Sequence, residues 1–97
     1  MAYLTIARID GDPEQLLDRY QETAEVMAAA GRDHGLIVHA AAKTGDGLMI
    51  VNLWPSEDRS HAAARDARRH EVIKRHGLDP SRIRYEHHAV AGYELFA

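Results

Sequence analysis

Seven histidines among 97 residues are the compositional oddity of this chain. Histidine is the side chain whose ordinary pKa lies closest to neutrality, which makes it the default general base. His39 sits inside one strand-like run and Asn52 inside the next. If these runs pair as a hairpin, the two residues stand opposite each other, on the face that also carries Trp54. His39 would then take a proton while Asn52 orients its ring or a substrate oxygen. The plainer alternative is a histidine satisfied by its neighbour at the edge of the core. His87 and His88 are consecutive, so on a strand they face opposite ways. Tyr85 shares a face with His87, and such a pair can polarise a carbonyl or remove a proton. Tyr3, Tyr20, Trp54, Tyr85 and His88 complete the candidate binding residues, although Tyr20 and Trp54 fit equally well as core aromatics.

No metal is expected. A metal site needs two or three converging ligands, and Glu86 with His88, two residues apart, is the nearest approach. The absence of cysteine excludes disulfides, thiolate zinc sites, iron–sulfur clusters and cysteine nucleophiles.

These residues need elements to hold them. Tyr3 to Ile9 is rich in β-branched and apolar residues and reads as a strand. Asp12 and Pro13 then form a helix start, with Gln15 where a capping-box partner belongs. Leu16, Leu17, Tyr20, Ala24, Met27 and Ala28 mark one helical face, ending near Ala30 with Gly31 as the stop. Leu36 to Lys43 and Leu48 to Trp54 are strands joined by the turn Thr44-Gly45-Asp46-Gly47. Ser56 caps a second helix from Glu57 to His76, which Gly77 ends. Asp79-Pro80-Ser81 turns the chain into a last strand from Ile83 to Glu94.

The order β-α-β-β-α-β is two βαβ halves joined by a hairpin. It predicts an α+β, ferredoxin-like domain over residues 1–97, with an antiparallel sheet and both helices on one face. Centring the turn on Gly45-Asp46 pairs Lys43 with Leu48, Ala41 with Ile50, His39 with Asn52 and Ile37 with Trp54. The other hairpin face is apolar throughout: Val38, Ala40, Ala42, Met49, Val51 and Leu53. That face is assigned to a homodimer and the mixed face to a cavity under the helices; the reverse assignment is the alternative.

Bulk properties suit a soluble protein, with a formal charge of −3. No apolar run approaches the roughly 20 residues of a membrane span and no signal peptide is evident, so the cytoplasm is the expected location. Charge is uneven: residues 1–58 hold four basic and ten acidic groups, net −6, and residues 59–97 hold eight and five, net +3. The second helix carries Arg59, Arg65, Arg68, Arg69, Lys74 and Arg75. Because Glu57, Asp58, Asp66 and Glu71 interrupt them, this reads as a solvated, ion-paired face, and neither nucleic acid nor a membrane is an expected partner. Ala62, Ala63, Ala67, Val72 and Ile73 form that helix's mostly small apolar side, which either permits close approach to the sheet or leaves room above it.

Four stretches carry a family resemblance: Gly35-Leu36-Ile37-Val38-His39, Lys43 to Leu48, Asn52-Leu53-Trp54-Pro55-Ser56, and the Gly77-Leu78 turn leading to Tyr85-Glu86-His87-His88. Together they resemble the dimeric α/β-barrel superfamily, especially small proteins related to antibiotic biosynthesis monooxygenases. The resemblance implies two subunits whose sheets face each other as a barrel, each with a small-molecule cavity between sheet and helices. His88 best matches the family's final-strand histidine. Haem-degrading relatives would imply an asparagine on the first strand, where this chain has Thr5, a tryptophan after the third, which Trp54 fits, and a ligating histidine on the second helix, a position that none of His61, His70 and His76 clearly matches. No cofactor is therefore expected. The implied function is a cofactor-independent monooxygenase or related cyclase acting on an aromatic or polyketide-type compound. The alternative is a non-catalytic ligand-binding or stress-associated dimer. The tail from Gly92 to Ala97 is expected to swap onto the partner, because Leu95 and Phe96 would otherwise be exposed.

Overall fold

A computed structural model describes residues 1–76 and 79–96. The expected helix stop at Gly77, the Gly77-Leu78 turn and the final Ala97 lie outside the described residues.

The chain runs β1 (Tyr3–Asp10), α1 (Pro13–Asp33), β2 (Val38–Thr44), β3 (Gly47–Trp54), α2 (Glu57–Ala64), α3 (Ala67–Arg75) and β4 (Ile83–Ala89). A 3-10 turn, Pro80–Arg82, leads into β4. The strands form one antiparallel sheet in the order β2-β3-β1-β4. This is the expected ferredoxin-like α+β arrangement. The hairpin register is also as expected, with Lys43 opposite Leu48, Ala41 opposite Ile50 and His39 opposite Asn52.

β2 begins at Val38 rather than Leu36, so the expected Ile37–Trp54 pair lies outside the ladder. Three larger differences from the sequence reading each have a local reason. Helix α1 passes through Gly31 to Asp33. Gly31 is buried inside the helix, where a Cβ would lie 2.7 Å from Leu36 Cδ2. The turn out of the helix is made instead at Gly35, whose φ of +80° suits glycine. The second helix is two helices, broken at Arg65-Asp66. The Asp66 carboxylate accepts from the Arg68 backbone N–H at 2.8 Å and so caps a new start. Finally, β4 stops at Ala89 rather than Glu94. Its partner β1 begins at Tyr3, and the Val90 N–H donating to the Ala2 carbonyl is the last backbone bond between the two segments among the described residues.

Side-chain alternation places Tyr3, Thr5, Ala7, Ile9, His39, Ile50, Asn52, Trp54, Tyr85 and His87 on one sheet face. The helices cover that face. The opposite face carries Leu4, Ile6, Val38, Ala40, Ala42, Met49, Val51 and Leu53, with Arg8, Arg84, Glu86 and His88 toward β4. Burial is sparse: Leu16, Ala30, Leu48, Leu53 and Trp54 make up the apolar core.

Candidate functional site

Between the inner sheet face and the helices lies a cavity of about 500 Å³, a volume usual for small-molecule sites. Thr5, Ala7, Ile9, Leu48, Ile50 and Asn52 form its floor, and Tyr20, Ala24, Met27, Ala63, Val72 and Ile73 form much of its roof. Alanines on the helices leave this space open; of the small residues expected on the second helix, Ala63 lines it, and Ala62 and Ala67 do not. The mixed hairpin face thus lines the cavity, as assigned.

Three expected residues meet on one wall. The Asn52 Oδ1 atom lies 2.6 Å from His39 Nδ1, and the Tyr20 hydroxyl lies 2.5 Å from His39 Nε2. A carbonyl oxygen only accepts, so Nδ1 carries the ring proton and Nε2 offers its lone pair. The Tyr20 hydroxyl therefore donates to Nε2. Each member is held by a different element. His39 and Asn52 are cross-strand partners on β2 and β3. Tyr20 projects from α1 with its ring stacked on the imidazole, 18° from parallel. The arrangement is a base whose tautomer is set from behind and whose lone pair faces a weak acid.

A second polar group stands on the β4 side. Arg69 Nη2 donates to the Tyr85 hydroxyl at 2.6 Å, with the guanidinium 5.9 Å from the Tyr85 ring centre. His87 stacks on Tyr85 and tilts against Tyr3, which meets His61 edge-on. Tyr85 and His87 line the cavity, whereas Tyr3 lies beside it through His87.

Trp54 closes the floor as a core aromatic. It is only 6% exposed, and its indole N–H donates to Thr5 Oγ1 at 3.2 Å. It therefore presents a wall, not an unpartnered polar tip. His88 requires a correction: it points to the opposite sheet face from His87 and does not line the cavity. The alternation of a strand dictates this once His87 faces inward.

Arg69 is the residue that sequence reading misplaced. Among the arginines of the broken helix, Arg68 pairs with Asp66 and Asp33, and Arg75 pairs with Glu71, as a solvated face should. Arg69 instead turns into the cavity. Its helical neighbours at three and four residues, Val72 and Ile73, also line the cavity, and that spacing was the available signal.

The roof is tied down at the helix break. Asp66 receives Arg68 and also lies 2.8 Å from His34 Nε2 at the end of α1, while Arg68 reaches Asp33. The Arg68 and His34 hydrogen bonds hold the Asp66 carboxyl well below the usual carboxylate range. Arg68 is pushed up in turn, chiefly by Asp66 and then by Asp33.

Fold and cavity together define a ferredoxin-like α+β protein with a cavity beneath its helices. No protein-family model and no curated sequence matches the chain. Solved structures do share its fold. A candidate antibiotic biosynthesis monooxygenase from Chloroflexus aurantiacus superposes with a TM-score of 0.71 at 14% identity, over 100% of both chains. SnoaB, a cofactor-independent oxygenase from Streptomyces nogalater, gives 0.65 at 12% identity, over 95% of this chain and 93% of its own. A dimeric ferredoxin-like protein of unknown function from Jannaschia gives 0.74 at 10% identity, over 93% and 100%. The resemblance noted in the sequence to the antibiotic biosynthesis monooxygenase-like proteins thus holds at the level of fold.

Proposed function

We propose that this protein is a cytoplasmic homodimer that binds an aromatic or polyketide-type compound and oxidises it with dioxygen, without a cofactor, using His39 as general base. The observation that carries the reading is the Tyr20–His39–Asn52 chain on the wall of an apolar cavity. The likeness in fold to a cofactor-independent oxygenase agrees with it.

The chemistry follows from the proton positions. An acidic C–H of the substrate takes the place of the Tyr20 hydroxyl at Nε2, and His39 removes the proton. The Asn52 oxygen, accepting from Nδ1–H, stabilises the imidazolium that forms. The carbanion forms a C–O bond to dioxygen, and the terminal oxygen of the peroxide takes the proton back from His39. Loss of water from the hydroperoxide leaves a carbonyl. A methylene and dioxygen have become a ketone and water, with carbon oxidised and dioxygen fully reduced. Tyr20, freed from Nε2, donates to the substrate oxygen on which negative charge is delocalised.

Anthrone is a suitable probe, with oxygen uptake and anthraquinone absorbance as readouts. The protein is expected to raise both rates above the protein-free background. His39→Ala is expected to lower the catalysed rate about a hundredfold or more, the usual contribution of a general base. Anthrone that binds without oxygen uptake would move the reading to a non-catalytic ligand-binding protein, and an unaffected His39→Ala variant would remove His39 from the mechanism.

A further inference from the structure

The charges around the cavity run against those of the whole chain. The protein carries a formal charge of −3, yet Arg19, Arg32 and Arg69 line the cavity and no Asp or Glu does so among the described residues. A cavity with one sign of charge and apolar walls concentrates ligands of the opposite sign.

Arg69 stands out among the three. The Tyr85 hydroxyl and, at 3.4 Å, the Ala64 carbonyl accept from it, and both are neutral. Its neighbours Arg68 and Arg75 each face a carboxylate. Tyr85 adds a donor at the same place. Its oxygen accepts from Arg69, so its own O–H proton is available for a further acceptor. A guanidinium and a phenol O–H side by side match the two oxygens of a carboxylate.

The position is informative as well. His39 is on β2 and Tyr85 is on β4, the two edges of the sheet. Three strand spacings separate those backbones, about 14 Å. One aromatic ring does not bridge that width, while a fused-ring compound with groups at both ends does.

We propose that the cavity selects an anionic, fused-ring aromatic compound, with a carboxylate held by Arg69 and Tyr85 and its reacting group presented to Tyr20 and His39. This deepens the reading above and rests on it for the identity of the cavity as the binding site.

Two probes differing only in the charged group test it: 6-hydroxy-2-naphthoate and 2-naphthol, titrated calorimetrically at neutral pH. The wild-type protein is expected to bind the naphthoate about tenfold or more tightly than the naphthol. Arg69→Met is expected to abolish that preference, with an unchanged urea midpoint showing that the variant is folded. Tyr85→Phe is expected to lose part of the preference. Equal wild-type affinity for the two probes overturns the carboxylate site while the aromatic cavity stands. A preference that survives in Arg69→Met overturns the assignment to Arg69. Binding of neither probe overturns the carboxylate site and the cavity reading together.

Discussion

His39 owes its tautomer and orientation to two contacts made by different elements. Asn52 decides which nitrogen carries the proton, and Tyr20 decides where the lone pair points. The cross-strand half was legible, because hairpin register follows from turn length and alternation. The Tyr20 half was not, since nothing in a sequence says how far a helix slides over a sheet. Glycines teach the same lesson. The turn sequence draws the eye to Gly45, yet Gly45 has no positive φ, and a Cβ there would meet nothing. The demanding position is Gly47, where a Cβ would fall 1.8 Å from the Ile9 carbonyl oxygen. Gly47→Ala must push β1 and β3 apart at their paired ends, where Asp10 faces Gly47. It is expected to lower stability by about 1–3 kcal/mol, as overpacking does, read from the urea midpoint. Gly45→Ala is expected to leave that midpoint nearly unchanged.

At the scale of elements, the break between α2 and α3 decides how the roof meets the cavity. An uninterrupted second helix was a fair expectation, since Asp66 is one polar residue in a helical pattern. Aspartate competes for backbone N–H groups, and here Arg68 and His34 lend it further partners. Its carboxyl is held well below its ordinary range, chiefly by Arg68 and then by His34. The sign of the linkage follows. A depressed folded-state pKa contributes stability that is present above the ordinary carboxylate pKa of about 3.9 and is lost as pH falls below it. Asp66→Asn is therefore expected to unfold at a lower temperature than the wild type at pH 7. The gap is expected to narrow as pH is lowered from 4 toward 2. Thermal denaturation at a series of pH values checks this, and a constant gap would remove the Asp66 charge from the account.

For the whole molecule, the bare sheet face matters most. The chain exposes 6348 Å², against about 5,500 Å² for a compact monomer of its 10.8 kDa mass. The excess, about 800 Å², matches what one partner contributes to a standard interface. Leu95, 66% exposed, and Phe96, 89% exposed, account for part of it. Covering the outer sheet face with a second copy is the arrangement proposed here. Val51 lies centrally on that face, between Ala40 and Ile6. Sedimentation equilibrium is expected to give twice 10.8 kDa for the wild type and 10.8 kDa for Val51→Lys, since an unpaired charge in an apolar interface is costly. A monomeric wild type would overturn the dimer.

Alternation, turn chemistry and capping residues by themselves determined the order of elements along the chain, the hairpin register and the division of the hairpin into an apolar face and a mixed face. These are local rules, in which a side chain's direction follows from its position along the strand or helix. Tertiary structure alone decided that Tyr20 reaches His39, that Arg69 leaves the charged surface for the cavity, that Trp54 is wall rather than handle, and that Asp66 ends one helix to begin another. Each of those depends on how an element is placed against another far away in the chain, and that placement comes from packing summed over many residues.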